Sequence, residues 1–211
     1  VYGAQISMTI GLVGVFISFI LGLAFGGISG YYGGIIDTVV QRFIEIIRCF
    51  PRIPLWMGLS AALPTDWSII RIYFMITIIL SMITWTGLAR ATRGQIMSLK
   101  DEDFVVAARL SGTSEFKIIS VHLIPSFMSH IIAIITLRVP RMILAETALS
   151  FLGIGLRPPA ISWGVLLQSA QNIHTVALAP WLLIPGLFVV LFVLAFNFTG
   201  DGLRDAADPY G

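Results

Sequence analysis

Long apolar runs alternate with short polar breaks along this chain, and the length of each run decides what it can form. No charged residue occurs between Val1 and Ile36, and Ile6 to about Ser29 is almost wholly apolar. A hydrocarbon layer about 30 Å thick takes roughly 20 helical residues to cross, so this run predicts a spanning helix. Ile69 to about Leu88, Phe127 to about Ile154 and Trp181 to about Phe198 are also long and apolar enough. A different pattern governs Ile35 to Leu63. There Asp37, Gln41, Glu45, Arg48 and Arg52 recur at helical spacing, while Val39, Val40, Phe43, Ile44, Ile46 and Ile47 fill the other side. Such a helix shows one apolar and one polar face, and Pro51 and Pro54 predict a kink before Leu55. Two readings stay open: a span whose first half borders an aqueous cavity, or a helix lying in the membrane interface. The first gives about five crossings, with Leu63-Pro64-Thr65-Asp66-Trp67 as an exit turn.

Within the first run, Gly14, Ser18, Gly22, Gly26, Gly30 and Gly34 recur every four residues. They form a slowly drifting face of small side chains that lets another helix approach closely, a main route to helix association in lipid. The partner helix lies either in the same chain or in another subunit. Gly30-Tyr31-Tyr32-Gly33-Gly34 reads as a turn at the membrane surface, its glycines admitting positive φ and its tyrosines suited to the headgroup level.

The polar stretch Asp101 to Pro125 interrupts the apolar pattern. Acidic residues open it, where a helix N-terminus favours negative charge, and Gly112 stands where a C-terminal cap would use it. Thr113 or Ser114 can cap a second short helix with Glu115 in its first turn, and Pro125 would end the unit. The expected form is a stiff helix–turn–helix. Arg90, Arg93, Lys100, Arg109 and Lys117 lie in or beside it, so the positive-inside rule puts this segment in the cytoplasm, with the amino end outside and the tail inside.

Composition agrees with a membrane protein and removes several kinds of chemistry. Hydrophobic residues make up 57% of the 211 residues and charged ones 11%, and the mean hydropathy is +0.93, far too apolar for an ordinary soluble domain. The thirteen Lys and Arg are not pooled, so no nucleic-acid surface is expected. Cys49 is the single cysteine, which excludes an internal disulfide. His122, His130 and His174 fall in no metal-ligand spacing, and no metal site or catalytic constellation is expected. The only lysines, Lys100 and Lys117, follow Leu99 and Phe116. No phosphate-binding loop ending in Gly-Lys-Ser/Thr is therefore present, and ATP-driven transport would need a nucleotide site on another polypeptide. The start at Val1, with no basic region before the first run, reads as the core of a longer chain rather than a signal peptide. In the fourth run, Arg138, Arg141 and Glu146 would sit at mid-membrane, where charges must pair or face a polar cavity. They either line a solute path, or make structural ion pairs and contacts with a sister subunit.

Val106-Ala107-Ala108 is followed after three residues by Gly112, and nine residues later by His122-Leu123-Ile124-Pro125. This resembles the EAA motif of the inner-membrane permeases of bacterial ABC importers, in the peptide/nickel subgroup. Gly30 to Gly34 with Asp37, Ala145-Glu146 leading into Leu149 to Gly153, Ser162-Trp163-Gly164, and Asn197 to Pro209 look like further signatures of that subgroup. Two positions depart from it: Val106 stands where the family has an acidic residue, and Arg138 and Arg141 are outside the pattern.

The resemblance implies an all-α polytopic bundle of the type I (MetI-like) importer fold, a single permease domain over residues 1–211 with a cytoplasmic coupling loop at 90–126. Ala107, Ala108, Arg109, Gly112, Thr113, Ser114, Glu115 and Pro125 would meet the ATPase. It also implies a second, similar permease subunit, two ATP-binding subunits carrying the ATP and Mg that this chain itself does not bind, an extracytoplasmic solute-binding protein, and a multi-pass location in the bacterial inner membrane. The competing reading is an ion-driven carrier or structural membrane subunit with no ATPase partner.

Overall fold

The computed structural model describes residues 2–64 and 66–207. The tail residues Asp208 and Pro209, and Thr65 of the exit turn, lie outside the described residues. Among the described residues the chain is helical with no strand. Helix α1 covers Tyr2–Tyr32, α2 Gly34–Cys49, α3 Arg52–Ala61 and α4 Ile69–Leu99. A polar loop follows, with α5 Asp103–Leu110, α6 Glu115–Lys117, a π-helical turn Ile118–Leu123, and α7 Ile124–Ser126. Then come α8 Met128–Thr136, α9 Arg138–Phe151, the short α10 Trp163–Gln168 and α11 Ile173–Leu178, and α12 Ile184–Ala207.

Four stretches are long and apolar enough to cross a membrane: Tyr2–Tyr32, Ile69–Leu99, Met128–Phe151 and Pro180–Ala206. The 35–63 stretch, expected as a further crossing or an interfacial helix, folds as α2 and α3 in tandem, and neither helix is long enough to cross on its own. Pro51 drives Phe50 out of the helical region, to φ −83° and ψ 137°, and breaks the helix there. The charged spacing on α2 leaves only Ile44 buried on it. Pro140 likewise marks the joint between α8 and α9, because it offers no N–H to the preceding turn.

Helices α1 and α4 form the most extensive contact in the bundle. The small-residue face of α1 makes it, so the partner helix lies in the same chain. A Cβ on Gly26 would stand 2.5 Å from the Ala89 carbonyl oxygen, and one on Gly30 would stand 2.9 Å from that of Arg93. Two hydroxyls cross the seam: Ser81 Oγ donates to the Gly14 carbonyl at 3.1 Å, and Ser18 Oγ to that of Ser81 at 3.2 Å. Helix α9 packs on the same pair through Val139, Met142, Ile143 and Leu149, all buried.

The loop after α9 is folded back onto the bundle by a buried polar chain. Glu146 is fully buried. Ser7 Oγ donates to its Oε2 at 2.9 Å, and Ser150 Oγ donates to its Oε1 at 2.7 Å. Those hydroxyls in turn accept from the loop backbone, Ser7 from Trp163 N–H at 3.1 Å and Ser150 from Leu156 N–H at 3.0 Å. One carboxylate thus ties α1, α9 and the 153–165 segment together. At this end Trp67 and Ile69 and the 156–159 segment flank a common cavity. At the other end Tyr32 Oη donates to Glu115 at 2.8 Å. The Tyr31-Tyr32 end of α1 therefore lies beside the polar loop, and the break expected there falls at Gly33, with φ 65°.

Substitutions at Gly26 and Glu146, each with a control, test this packing in thermal unfolding of the detergent-solubilised protein. Gly26→Ala must push backbone against backbone and should cost about 1–3 kcal/mol, whereas Gly94→Ala, a helical site with nothing within 4 Å of its Cβ, should be neutral or gain up to about 1 kcal/mol. Glu146→Leu strands the Ser7 and Ser150 hydroxyls and should cost about 1–3 kcal/mol, with faster proteolysis in the 153–172 segment; Glu146→Gln, which still accepts, should cost less.

Candidate functional site

The polar loop is a rigid elbow. Helix α5 ends at Leu110, and Gly112 adopts φ 75°, a conformation that costs a side-chain-bearing residue energy. Around it Thr113 N–H donates to the Ala108 carbonyl and Gly112 N–H to that of Arg109, each at 3.1 Å. This pair of bonds is the Schellman arrangement that closes a helix C-terminus. Ser114 then occupies the N-cap position of α6 in extended geometry, without a side-chain cap bond. Neither Thr113 nor Ser114 therefore caps through its hydroxyl.

The chain also does not stop at Pro125. It widens into a π turn, in which Ile124 N–H reaches the Ile119 carbonyl, and it passes through Pro125 before breaking at Phe127 (φ −120°, ψ 20°). A π turn is one way to accommodate the N–H that proline lacks.

One side of the elbow is seated and the other is bare. Val105, Ile118 and Leu123 are fully buried in a cluster with Leu88, Ile96, Phe127 and Ile131. Arg109 stacks over the Tyr31 ring at 5.9 Å, and Glu115 accepts from Tyr32. Ala107, Gly112 and Ser114 are exposed, Ala108 and Thr113 half-buried. Leu110 and Phe116 are 84% and 80% exposed, an uncommon state for large apolar side chains on a polar loop. Behind the elbow, Asp37 at the start of α2 takes a bidentate pair from Arg93 of α4, with Nε to Oδ1 at 2.6 Å. Ser29 Oγ also donates to Asp37, and Gln41 donates to Ser29. Gly30 to Asp37 is thus a latch between α1, α2 and α4, directly against the elbow.

Of the charges at mid-span, Arg138 and Arg141 come together and Glu146 does not join them. With Arg52 and Trp56 of α3, Ser18 of α1 and Thr84 of α4, the two arginines line a cavity of about 110 Å³. Arg138 Nη1 donates to the Thr84 carbonyl at 2.8 Å, and Arg52 and Arg141 share its cavity. Glu146 lies further along α9 and joins the serine network instead. Arg52 was visible in the sequence as the last member of the polar face of α2 and α3. Trp56 and Thr84 carried no such signal, since they occur inside apolar runs.

Residues 22–210 match the family described as binding-protein-dependent transport system inner membrane component. The chain is 43% identical over 208 residues to the oligopeptide transport system permease protein OppC of Haemophilus influenzae, covering 98% of this chain and 64% of that protein. It is 37% identical over 210 residues to the dipeptide transport system permease protein DppC of Bacillus subtilis, covering 99% of this chain and 63% of the relative. It therefore spans less than two thirds of the length of these two relatives. In three dimensions it is similar to a chain of the inward-facing MetNI methionine ABC transporter, with a TM-score of 0.71 at 17% identity, covering 98% of this chain and 94% of that one. That likeness shows the all-α fold. Together with the helical elbow around Gly112, the family match leaves one conclusion: this multi-pass membrane chain belongs to the binding-protein-dependent transport system inner membrane components.

Proposed function

We propose that this chain is the permease subunit of an ATP-driven importer for a peptide-like solute, forming half of the solute path and docking through its 101–126 elbow onto a separate ATPase. The observation that carries the reading is the elbow itself: a hydrogen-bonded, rigidly seated turn that exposes Leu110 and Phe116 beyond the end of the bundle. An ATPase groove would cover those side chains together with Ala107, Ala108, Arg109, Gly112, Thr113, Ser114 and Glu115, while Pro125 sets the path of the chain back to the bundle. Val106 is itself exposed and uncharged, so at that point docking rests on shape rather than on an ion pair.

The relatives named for oligopeptide and dipeptide transport support a peptide-like solute. The family membership favours an importer over an ion-driven carrier. In this reading the membrane is the bacterial inner membrane, and the elbow and the end of α12 face the cytoplasm. A second, similar permease completes the path. Two ATP-binding subunits hold ATP and Mg, and an extracytoplasmic solute-binding protein delivers the solute to the end formed by the 153–172 segment. ATP-driven closure of the ATPases would draw the elbows together and rock the two bundles between inward-open and outward-open states, the general logic of alternating access.

Affinity purification of the full-length protein from its native membrane should bring down an ATP-hydrolysing partner; recovery of the protein without one would sink the reading. Gly112→Leu should leave membrane insertion and ATP hydrolysis in place but lower ATP-dependent uptake in proteoliposomes. The left-handed backbone costs a branched residue about 1–2 kcal/mol, roughly ten-fold at a docking equilibrium. Gly112→Asn, which tolerates that conformation, should stay closer to wild type.

A further inference from the structure

The arginine-lined cavity stands out because its charge is uncompensated. Asp37 and Glu45, on the helix that supplies the charged face, are engaged by Arg93, Arg42 and Arg90. Glu146, the acid on α9, is committed to Ser7 and Ser150. Among the described residues, Arg48, Arg52, Arg138 and Arg141 make no ion pair. Three of them meet level with Ser18 and Thr84, the middle residues of α1 and α4. Each such cation costs at least about 2.5 kcal/mol at mid-bilayer unless something polar receives it.

A second cavity of about 250 Å³ adjoins the first, sharing Trp56 and Arg141 with it. Its other walls are apolar, among them Met57, Leu144, Leu149 and Leu152. A cationic compartment with room for a few waters' volume thus opens beside an apolar one with space for a large side chain.

We propose that the cavity lined by Arg52, Arg138 and Arg141 is a subsite for the carboxylate end of a peptide-like solute, with the adjoining Trp56–Leu144 groove taking its last side chain. The charge sign selects the carboxylate over the amino end, and the cavity's size admits a carboxylate but not a whole peptide. Arg138 is held in place by its bond to the Thr84 carbonyl, so it is presented without reorganisation. Arg141 is exposed and makes no hydrogen bond among the described residues, and it stands at the junction of the two compartments. A lipid headgroup would offer a similar anion, but the site lies halfway along the spanning helices rather than at their ends.

The proposal rests on the permease reading, and the test separates the two. The complex of full-length chain and partners, purified without ATP or solute-binding protein, is assayed for equilibrium binding of radiolabelled trialanine and of trialanine amide. Trialanine should bind saturably and the amide about ten-fold more weakly. Arg141→Gln should weaken trialanine by about ten-fold and leave the amide unchanged. Arg138→Gln should act in the same direction. Equal binding of the two probes, no saturable binding, or no effect of Arg141→Gln would each overturn the subsite. So would loss of the sister permease from the Arg141→Gln complex, which would show the arginine paired with an acid of that subunit. ATP-dependent trialanine uptake by wild-type vesicles reads the permease function separately. Uptake without discrimination in binding removes only the subsite, and no uptake removes both.

Discussion

In lipid, apolar side chains gain little by leaving one apolar neighbour for another, so helices must find another reason to stay together. Here the reason is the small-residue face of α1. Its glycines bring the backbone of α1 against that of α4 closely enough for Ser18 and Ser81 to bond across the seam. Everything else is fixed relative to this pair. The seam sets the height of Ser18 and Thr84 in the wall of the arginine cavity, and it carries Tyr31, Tyr32 and Arg93 to the end where the elbow is seated. The third helix of the core, α9, is held to the pair by both apolar packing and the Ser7–Glu146 bond.

The acidic and basic side chains of the spanning helices differ in role. Asp37, Glu45 and Glu146 are each satisfied locally and serve to join elements: α2 to α4 through Arg93 and Arg90, and the loop after α9 to α1 through Ser7. Arg52, Arg138 and Arg141 make no ion pair among the described residues and line the cavity instead. Helix α2 buries only Ile44, and Ile35, Val39, Phe43 and Ile46 are exposed along it. Arg52 of α3 and Arg141 of α9 are exposed as well, and they line the proposed carboxylate subsite.

Much of this arrangement was legible in the sequence, for identifiable reasons. Span positions follow from run length, the α1 seam from a four-residue period, the break near Pro51 from the missing N–H and the steric demand on Phe50, and Gly112 from the rarity of positive φ in other residues. The separation of Glu146 from Arg138 and Arg141 was not legible. All three lie within nine residues of one helix, but their faces depend on where α1 and α3 pack, and the bond to Ser7 joins residues 139 apart. The passage of the helix through Pro125 was hidden for a related reason. Proline predicts a lost hydrogen bond, but whether the chain stops or widens into a π turn depends on the burial of Ile118 and Leu123 against α4 and α8.

The elbow's two sides explain how a displacement there could reach the arginine cavity. Were the loop attached only by its covalent ends, pulling on it would deform the loop. Instead Val105, Ile118 and Leu123 bed it on α4 and α8, while Arg109 and Glu115 contact the last turn of α1. A force applied at Leu110 or Phe116 therefore acts on α1 and α4 together. That pair resists shear because backbone lies against backbone at Gly26 and Gly30, where side chains have no room to slide. The cavity is lined by α1 and α4 on one side and by α3 and α9 on the other. Since α2 is latched to α4 at Asp37 but broken from α3 at Phe50, the break is the one point along that connection where the two walls can move apart without unmaking a hydrogen-bonded helix.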